Sequence, residues 1–210
     1  MAAALAAGVT EIRVFASLQE ASRAAAEADG SRILCGEEKC LPPAGFDLGN
    51  SPGAFRRELH GGRTAYMSTT NGTRAIVAAR DAATVLTGAL VNASAVARAA
   101  AAGGADVTLL CAGTGGAVAM EDVIGAGAVM ASLARLTPVE PQSDAALIAR
   151  DLYRARGRDL RAALAEAVGG RNVSDAGLAP DIDFAARVDA LDVVGRVDGA
   201  TLTVRNVATR

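Results

Sequence analysis

The amino-acid sequence predicts an α/β protein, with a three-layer α/β/α arrangement around a mixed, mostly parallel sheet. Short apolar segments typical of strands alternate with Ala-rich segments typical of helices through the first 136 residues. Polar, glycine-containing loops follow several of the strand segments. The length of 210 residues suits a sizeable core, so we expect a single domain over residues 1–210.

The first half of the chain predicts a β-α-β unit, then a loop, a helix and a further strand with its helix. Strands are expected where β-branched and aromatic residues are frequent, and helices where alanine dominates. His60, the single histidine, would end a helix, where a cation interacts favourably with the helix dipole. In chain order we predict a helix end closed by Gly8, a strand from Glu11 to Ala16, a helix from Leu18 to Ala28, a strand from Arg32 to Gly36, a loop from Leu41 to Pro52, a helix from Pro52 to Leu59, a strand beginning at Thr64 and a helix from Ala75 to Arg80.

The second half is predicted to continue this alternation before it adds helices and a terminal hairpin. Val107 to Cys111 is the most hydrophobic strand segment, so we predict that it is central in the sheet. The other predicted elements are a strand from Thr84 to Leu90, a helix to about Ala102, a helix from Val118 to Leu136, a helical region from Ser143 to Val168, a loop from Asn172 to Pro180, a short helix from Asp181 to Arg187 and a hairpin from Leu191 to Arg205.

Composition excludes several classes of function. A formal charge of −2 and 3% aromatic residues do not suit a nucleic-acid partner. Gly and charged residues interrupt every apolar run before the ~18 residues that a membrane span needs, so we expect no membrane partner. Three cysteines without paired spacing indicate a reducing compartment, which predicts a cytoplasmic protein.

The segment from Thr64 to Arg74 is predicted to bind an anion. It reads as a strand, a hydroxyl-rich loop and a helix N-terminus, where free backbone N–H groups and the helix dipole favour negative charge. The hydroxyl donors are Ser68, Thr69, Thr70 and Thr73. An alternative stays open, in which Asn71 and Gly72 supply only a turn and Thr73 only a helix cap.

Acidic residues near the same predicted edge suggest a divalent cation. Carboxylates that meet an anion repel it, and a hard cation such as Mg²⁺ between them neutralises both. The closest acids are Glu37, Asp47, Glu121 and Asp122. Glu121 and Asp122 are adjacent on a predicted helix and point ~100° apart, so at most one is a direct ligand, and both would otherwise lie on a solvated face.

Cys111, at the end of a predicted strand, is either a nucleophile or a small apolar residue that lines the pocket. The turn from Gly113 to Gly116 that follows lacks the lysine of a P-loop, and no Gly-x-Gly-x-x-Gly opens the first helix. A small anionic ligand therefore fits better than a nucleotide.

Four ordered segments together resemble the 2-phosphosulfolactate phosphatase family. They are Gly45-Phe46-Asp47-Leu48-Gly49-Asn50-Ser51-Pro52, Thr69-Thr70-Asn71-Gly72-Thr73, Cys111-Ala112-Gly113-Thr114 and Glu121-Asp122. The resemblance covers nearly the whole chain and also includes Gly36-Glu37 and the region around Asp181. It implies Mg²⁺-dependent hydrolysis of 2-phospho-3-sulfolactate to sulfolactate and phosphate, a step associated with coenzyme M biosynthesis.

From these segments we assign roles as hypotheses. Glu37, Asp47 and Asp122 would hold Mg²⁺, directly or through water. Asp122, Glu121 and Cys111 are the candidate catalytic residues, and Thr114 with the Gly113 amide would stabilise the charge that develops on phosphorus. The candidate substrate-binding residues are Asn50, Ser51, Thr69, Thr70, Asn71, Gly72, Thr73, Gly113 and Thr114.

The resemblance also implies a difference at the N-terminus. Family members begin with a strand that carries a motif like Asp-Val-Leu-Arg-Ala-Thr, and Met1 falls just after the place where it would lie. We therefore expect one strand fewer, with an exposed sheet edge that would favour a homo-oligomer. Two alternative functions stay open, namely a non-catalytic binder of small anions and a hydrolase that uses Cys111 as its nucleophile.

Overall fold

The computed structural model describes residues 1–207, which divide into two compact units. Of the described residues, the first unit contains Met1–Thr87 and residues 195–207, and the second contains Gly88–Val194. Every strand of the described chain belongs to the first unit. The prediction of a single domain over residues 1–210 stays a prediction.

The first unit is built on a six-stranded sheet with the order β2-β3-β1-β6-β5-β4. Its strands are β1 Glu11–Val14, β2 Arg32–Gly36, β3 Thr64–Ser68, β4 Val85–Thr87, β5 Gly195–Asp198 and β6 Thr203–Asn206. Its helices are α1 Ala2–Ala6, α2 Leu18–Ala26, α3 Arg57–His60 and α4 Gly72–Ala78, with a short 3₁₀ turn at Pro52–Ala54. Helix α2 packs on β2 and β3, and α4 packs on β1.

The α/β class and the mixed sheet are confirmed, but the balance of pairings differs from the prediction. β3 lies between β1 and β2 and is parallel to both, whereas the pairs β1-β6, β5-β6 and β4-β5 are antiparallel. β1, α2 and β2 therefore form the predicted β-α-β unit, but β3 lies between β1 and β2 in the sheet. Parallel pairing is confined to β2-β3-β1, so the sheet is not mostly parallel.

The core of the first unit comes from alternating strand residues. Ile12, Ile33, Ala65 and Val204 are each at most 1% exposed, and they lie on neighbouring strands. Such burial of aliphatic side chains contributes ~25 cal/mol per Å² of apolar area and dominates the stability of a sheet of this kind. The sheet consequently fixes where each strand ends, and thus where the loops after β2 and β3 begin.

The second unit is helical. Its helices are α5 Ala93–Ala102, α6 Met120–Leu133, α7 Asp144–Arg156, α8 Leu160–Glu166, α9 Val168–Asp175 and α10 Ala179–Ala185. Helix α6 packs against both α5 and α7. Ser143 and Asp159 cap α7 and α8, since their side chains accept hydrogen bonds from Ala146 and Ala162. Among residues 1–207, no helix is long and apolar enough to cross a membrane.

Val107–Cys111 is not a strand, and this corrects the prediction of a central strand. The segment carries no regular secondary structure, and Val107 and Leu110 are 42% and 59% exposed. A strand needs a neighbour that accepts its backbone hydrogen bonds, and no described strand pairs with this segment. Hydrophobicity without a partner strand was therefore an insufficient signal.

Three predicted helical boundaries also change. The predicted helix from Pro52 to Leu59 is split, because Phe55 and Arg56 adopt extended backbone angles between the 3₁₀ turn and α3. The helical region from Ser143 is broken at Gly157 into α7 and α8. The predicted loop from Asn172 to Pro180 is largely helical, since α9 extends to Asp175 and α10 starts at Ala179.

Glu11 joins two strands of the sheet through ion pairs, and we expect its loss to destabilise the first unit. Its Oε1 accepts from Arg13 at 2.9 Å and its Oε2 from Arg205 at 2.5 Å, and its side chain is 11% exposed. Burial raises the pKa of this carboxyl, but the hydrogen bonds from Arg13 and Arg205 outweigh burial and leave the pKa below its usual value. Because the folded pKa is the lower one, the stabilisation is present above the unfolded pKa and is lost as the pH falls through the folded pKa.

Glu11→Gln should therefore lower the free energy of unfolding by roughly 2 kcal/mol at pH 7. Urea denaturation at pH 7 and at about pH 3 checks this expectation, since the difference from the unmodified protein should shrink at the lower pH. Glu38→Gln, at an exposed position, is the control. If Glu11→Gln lowered the free energy of unfolding equally at both pH values, the charge of Glu11 would not contribute to stability.

Candidate functional site

Glu37 and Thr70 meet where the parallel strands β2 and β3 end. The backbone N–H of Thr70 donates to Oε2 of Glu37 at 3.1 Å, and the Thr70 hydroxyl donates to Oε1 at 3.0 Å. Oε1 also accepts from the backbone N–H of Cys40 at 3.1 Å. The N–H and the hydroxyl of Thr70 were predicted to bind an anionic ligand, and here they bind the carboxylate of Glu37. The structure thus brings Glu37 and Thr70 together, while their predicted roles stay predictions.

Thr69 and Thr73 bind each other across the start of α4. The Thr69 N–H donates to Thr73 Oγ1 at 3.0 Å, and the Thr73 N–H donates to Thr69 Oγ1 at 3.2 Å. The Thr73 hydroxyl in turn donates to the Thr69 carbonyl at 2.9 Å. Both Thr70 and Thr73 therefore already use their hydroxyl hydrogens inside the chain. The Thr69 hydroxyl accepts from the Thr73 N–H but donates to no described residue, so among the threonines of this loop it keeps its hydrogen for a ligand.

Asn71, and not Thr73, occupies the N-cap position of α4. Its side chain makes no capping hydrogen bond, and Gly72 is the first helical residue. The alternative in which Thr73 is the helix N-cap is thus wrong in position, although Thr73 does bind the backbone of this loop. The predicted substrate-binding roles of Thr69, Asn71 and Gly72 stay predictions.

Replacing Thr73 with Val is expected to lower the free energy of unfolding by about 1 to 3 kcal/mol. Thr73 is fully buried, and Val keeps its shape while leaving the N–H and the carbonyl of Thr69 without their partner. Chemical denaturation measures the loss. Thr73→Ser, which keeps the hydroxyl, is the control and should lose less, and equal losses in the two variants would show that the hydroxyl is unimportant.

Asp47 lies along the free edge of β2. Its Oδ2 accepts from the Leu34 N–H at 2.8 Å, and its own N–H donates to the Leu34 carbonyl at 2.9 Å. The next residue, Leu48, forms a parallel bridge with Cys35. Asp47 therefore covers part of a sheet edge in addition to its predicted role. Asn50 and Ser51 follow, with Asn50 exposed and Ser51 preceding the 3₁₀ turn.

In the second unit, Asp122 binds the predicted glycine turn. Its Oδ2 accepts from the Gly113 N–H at 2.7 Å. Burial raises the pKa of Asp122, the Gly113 N–H opposes this, and the charge of Glu121 adds to the rise. The Gly113 amide thus already has a partner, and its predicted role in stabilising charge on phosphorus stays a prediction. The hydroxyl of Thr114 makes no hydrogen bond with the described residues, so it is the donor of this turn that stays available.

The turn itself depends on glycine. Gly113, Gly115 and Gly116 all have positive φ, where other residues are strained. At Gly113 a Cβ would also lie 2.6 Å from the Ala117 carbonyl oxygen. The absence of a side chain at Gly113 therefore lets the turn close onto Ala117.

Glu121 points away from that turn. Its Oε1 accepts from the Gly169 N–H at 3.0 Å, and its Oε2 is buried and accepts no hydrogen bond from the described residues. The prediction that Glu121 and Asp122 point in different directions agrees with these partners. The alternative of a solvated face is wrong for Glu121. No sequence pattern pointed to Gly169, because the contact joins residues 48 positions apart.

The cysteines and His60 show little that favours chemistry. Partial burial, and then the charge of Asp122, raise the pKa of Cys111, so less of it is the nucleophilic thiolate. Burial raises the pKa of Cys35 to about 12. His60 is 7% exposed, and its Nδ1 accepts from the Arg56 N–H at 2.9 Å. His60 is the last residue of α3, as predicted, and its imidazole also binds the backbone at the start of that helix.

The predicted metal ligands fit Mg²⁺ unequally. Carboxylate oxygens suit this ion, and the Oδ1 atoms of Asp47 and Asp122 accept no hydrogen bond from residues 1–207. Glu37 fits less well, because its oxygens already accept from Thr70 and Cys40. Within each unit, the described residues contain no group of three or more His, Cys, Asp or Glu side chains placed to hold a metal ion.

The chain is similar to proteins of one family. The family described as 2-phosphosulpholactate phosphatase matches residues 1–200. A protein of Carboxydothermus hydrogenoformans is 36% identical over 194 residues, which are 92% of this chain and 79% of that protein. A protein of Synechococcus sp. (strain CC9605) is 39% identical over 92% of this chain and 82% of its own length. A protein of Gloeobacter violaceus is 35% identical over 99% of this chain and 87% of its own length.

Each of these relatives bears the name probable 2-phosphosulfolactate phosphatase. The matches include all the segments that carried the resemblance, from Glu37 to Asp122. Because the match extends over residues 1–200 and the relatives are aligned over most of their own length, the chain belongs to the 2-phosphosulpholactate phosphatase family.

Proposed function

We propose that this protein is a Mg²⁺-dependent phosphatase that hydrolyses 2-phospho-3-sulfolactate, or a closely related phosphorylated acid, to sulfolactate and phosphate. Membership of the family carries the proposal. The same resemblance links the reaction to coenzyme M biosynthesis. The partner is thus a small, highly anionic substrate, whose phosphate, sulfonate and carboxylate groups need N–H and O–H donors.

Asp122 is the residue to which we assign the central role. The Gly113 N–H fixes one of its oxygens and leaves the other, Oδ1, without a hydrogen bond from described residues. Burial raises its pKa, which increases its affinity for a proton. Thr114 in the neighbouring turn would donate its hydroxyl to a phosphoryl oxygen. In the first unit, the proposed donors to a small anion are Thr69, Asn71, Gly72, Asn50 and Ser51.

Mg²⁺ would neutralise the phosphate and polarise its P–O bonds for attack by water at phosphorus. Taken singly, Asp47 in the first unit and Asp122 in the second each fit a Mg²⁺ ligand better than Glu37, which would have to exchange some of its present hydrogen bonds. Each candidate is judged by its own Asp→Asn or Glu→Gln variant.

A phosphate-release assay with 2-phosphosulfolactate tests the proposal. The protein is first treated with EDTA and then assayed with and without added Mg²⁺. We expect release with Mg²⁺ and little without it, and a lower kcat/KM for 2-phospholactate, which lacks the sulfonate. Release that is independent of Mg²⁺ would reject the cofactor. Binding of the substrate by calorimetry without any release would favour a non-catalytic anion binder.

A further inference from the structure

Glu121 connects two helices that are far apart in the sequence. It is the second residue of α6, and its Oε1 accepts from the N–H of Gly169, the second residue of α9. The residue at the N-cap position of α9 is Ala167, whose side chain cannot cap. A carboxylate is favourable at a helix N-terminus because it satisfies a free N–H group and interacts with the helix dipole. Glu121 therefore supplies the cap that the sequence of α9 lacks.

The two glycines that open α9 make this contact sterically feasible. A Cβ at Gly169 would overlap Oε1 of Glu121 and would lie 3.0 Å from its Cδ. A Cβ at Gly170 would overlap the carbonyl oxygen of Leu164 at the end of α8. Neither glycine has the positive φ that would require glycine for backbone reasons. Close approach, rather than backbone conformation, therefore explains this Gly-Gly pair.

The hydrogen bond between Asp122 and Gly113 indicates the effect of the contact between Glu121 and Gly169. Adjacent residues of an α-helix point ~100° apart, so a fixed Glu121 also fixes the direction of Asp122. Asp122 binds Gly113 in the glycine turn, while Glu121 binds Gly169 in α9. The first turn of α6 is thus held from two sides, and its rotation about the helix axis is defined.

We propose that Glu121 is a positioning residue that caps α9 and orients the first turn of α6, so that Asp122 faces the glycine turn. Its carboxylate takes no part in the chemistry, which belongs to its neighbour. The assignment of Asp122 to the chemistry rests on the proposed phosphatase function, whereas the cap on α9 does not. The proposal replaces the prediction that Glu121 is catalytic.

The comparison of Glu121→Gln with Glu121→Ala tests the proposal. Gln keeps an oxygen that accepts from the Gly169 N–H, so this variant should retain its melting temperature within about 2 °C and its kcat within about threefold. Ala removes the cap and should lower the melting temperature by roughly 3 to 8 °C. A misdirected Asp122 should lower kcat about tenfold in the Ala variant, with KM changed less than about threefold.

Gly169→Ala provides an independent measurement, because its Cβ would displace the carboxylate without altering it. This variant should resemble Glu121→Ala, and the double variant should be no worse than either single one. Gly125→Ala, in the same helix as Glu121 and with open space around it, is the matched control and should leave kcat unchanged.

Two results would overturn the proposal. If Glu121→Gln turned over substrate at least about 100-fold more slowly, at an unchanged melting temperature, the carboxylate itself would take part in the chemistry. Strictly additive effects of Glu121→Ala and Gly169→Ala on the melting temperature would show that the two residues are not coupled. If the unmodified protein releases no phosphate, the proposed function fails, and the melting temperatures alone still decide whether Glu121 caps α9.

Discussion

Asp122→Asn is expected to lower kcat for phosphate release from 2-phosphosulfolactate by roughly 10²- to 10³-fold, with little change in melting temperature. The amide oxygen of Asn can still accept from the Gly113 N–H, so the glycine turn keeps its partner. What the variant loses is the negative charge and the proton affinity of Oδ1. Steady-state kinetics together with thermal unfolding separate these two effects.

Asp144→Asn is the matched control for this variant. Asp144 occupies the first turn of α7 as Asp122 occupies the first turn of α6, but it is exposed and far from the glycine turn in sequence. It should leave kcat unchanged. Full turnover in Asp122→Asn would remove Asp122 from the chemistry and, with it, the central residue of the proposed mechanism.

Gly127→Ala is expected to destabilise the second unit by roughly 3 kcal/mol or more. Gly127 lies where α6 packs on α7, and a Cβ there would lie 2.6 Å from Cβ of Tyr153 and overlap the carbonyl oxygen of Ala149. The backbones of the two helices would have to separate, which removes packing along their whole contact. Thermal unfolding should show a melting temperature lower by roughly 10 °C.

Gly125→Ala, two residues earlier, again serves as the control. Apart from neighbouring backbone of α6 itself, no described atom lies within 4 Å of a Cβ at Gly125, so the higher helix propensity of Ala should stabilise this variant by up to ~1 kcal/mol. If Gly127→Ala were as stable as this control, the close packing of α6 on α7 would not be a feature of the protein in solution.

The local sequence pattern was sufficient to predict those strands and helices whose formation depends mainly on their own residues. The strands β1, β2 and β3 and the helix α2 were predicted because strand-forming residues and alanine content are local signals. The terminal hairpin was predicted in the same way and is observed as β5 and β6. In these elements the tertiary contacts agree with the secondary structure that the local sequence favours.

The sequence pattern gave wrong predictions where the secondary structure of a segment depends on a residue or strand that is distant in the sequence. Val107–Cys111 has the composition of a buried strand, yet it forms none because no described strand pairs with it. The second half of helix α9, from Asn172 to Asp175, was predicted as part of a loop. The cap from Glu121 on the start of α9 comes from 48 residues away.

At the candidate site, too, the sequence predicted some features and only the structure shows others. The sequence identified Glu37, Thr69, Thr70 and Asp122 by residue type and by their position after strands or before helices. It did not reveal that Glu37 binds Thr70, or that the Gly113 amide binds Asp122. Residue types indicate which groups are suited to a chemistry, whereas the hydrogen bonds decide which of those groups remain available for it.

Hydrolysis in ¹⁸O-labelled water tests the central claim most directly. The purified protein is incubated with 2-phosphosulfolactate and Mg²⁺, and both products are examined by mass spectrometry. We predict that phosphate and sulfolactate form in equal amounts and that the label enters phosphate, because water attacks phosphorus. Label in sulfolactate would contradict attack at phosphorus, and the absence of both products from a folded, Mg²⁺-loaded sample would contradict the proposed phosphatase function itself.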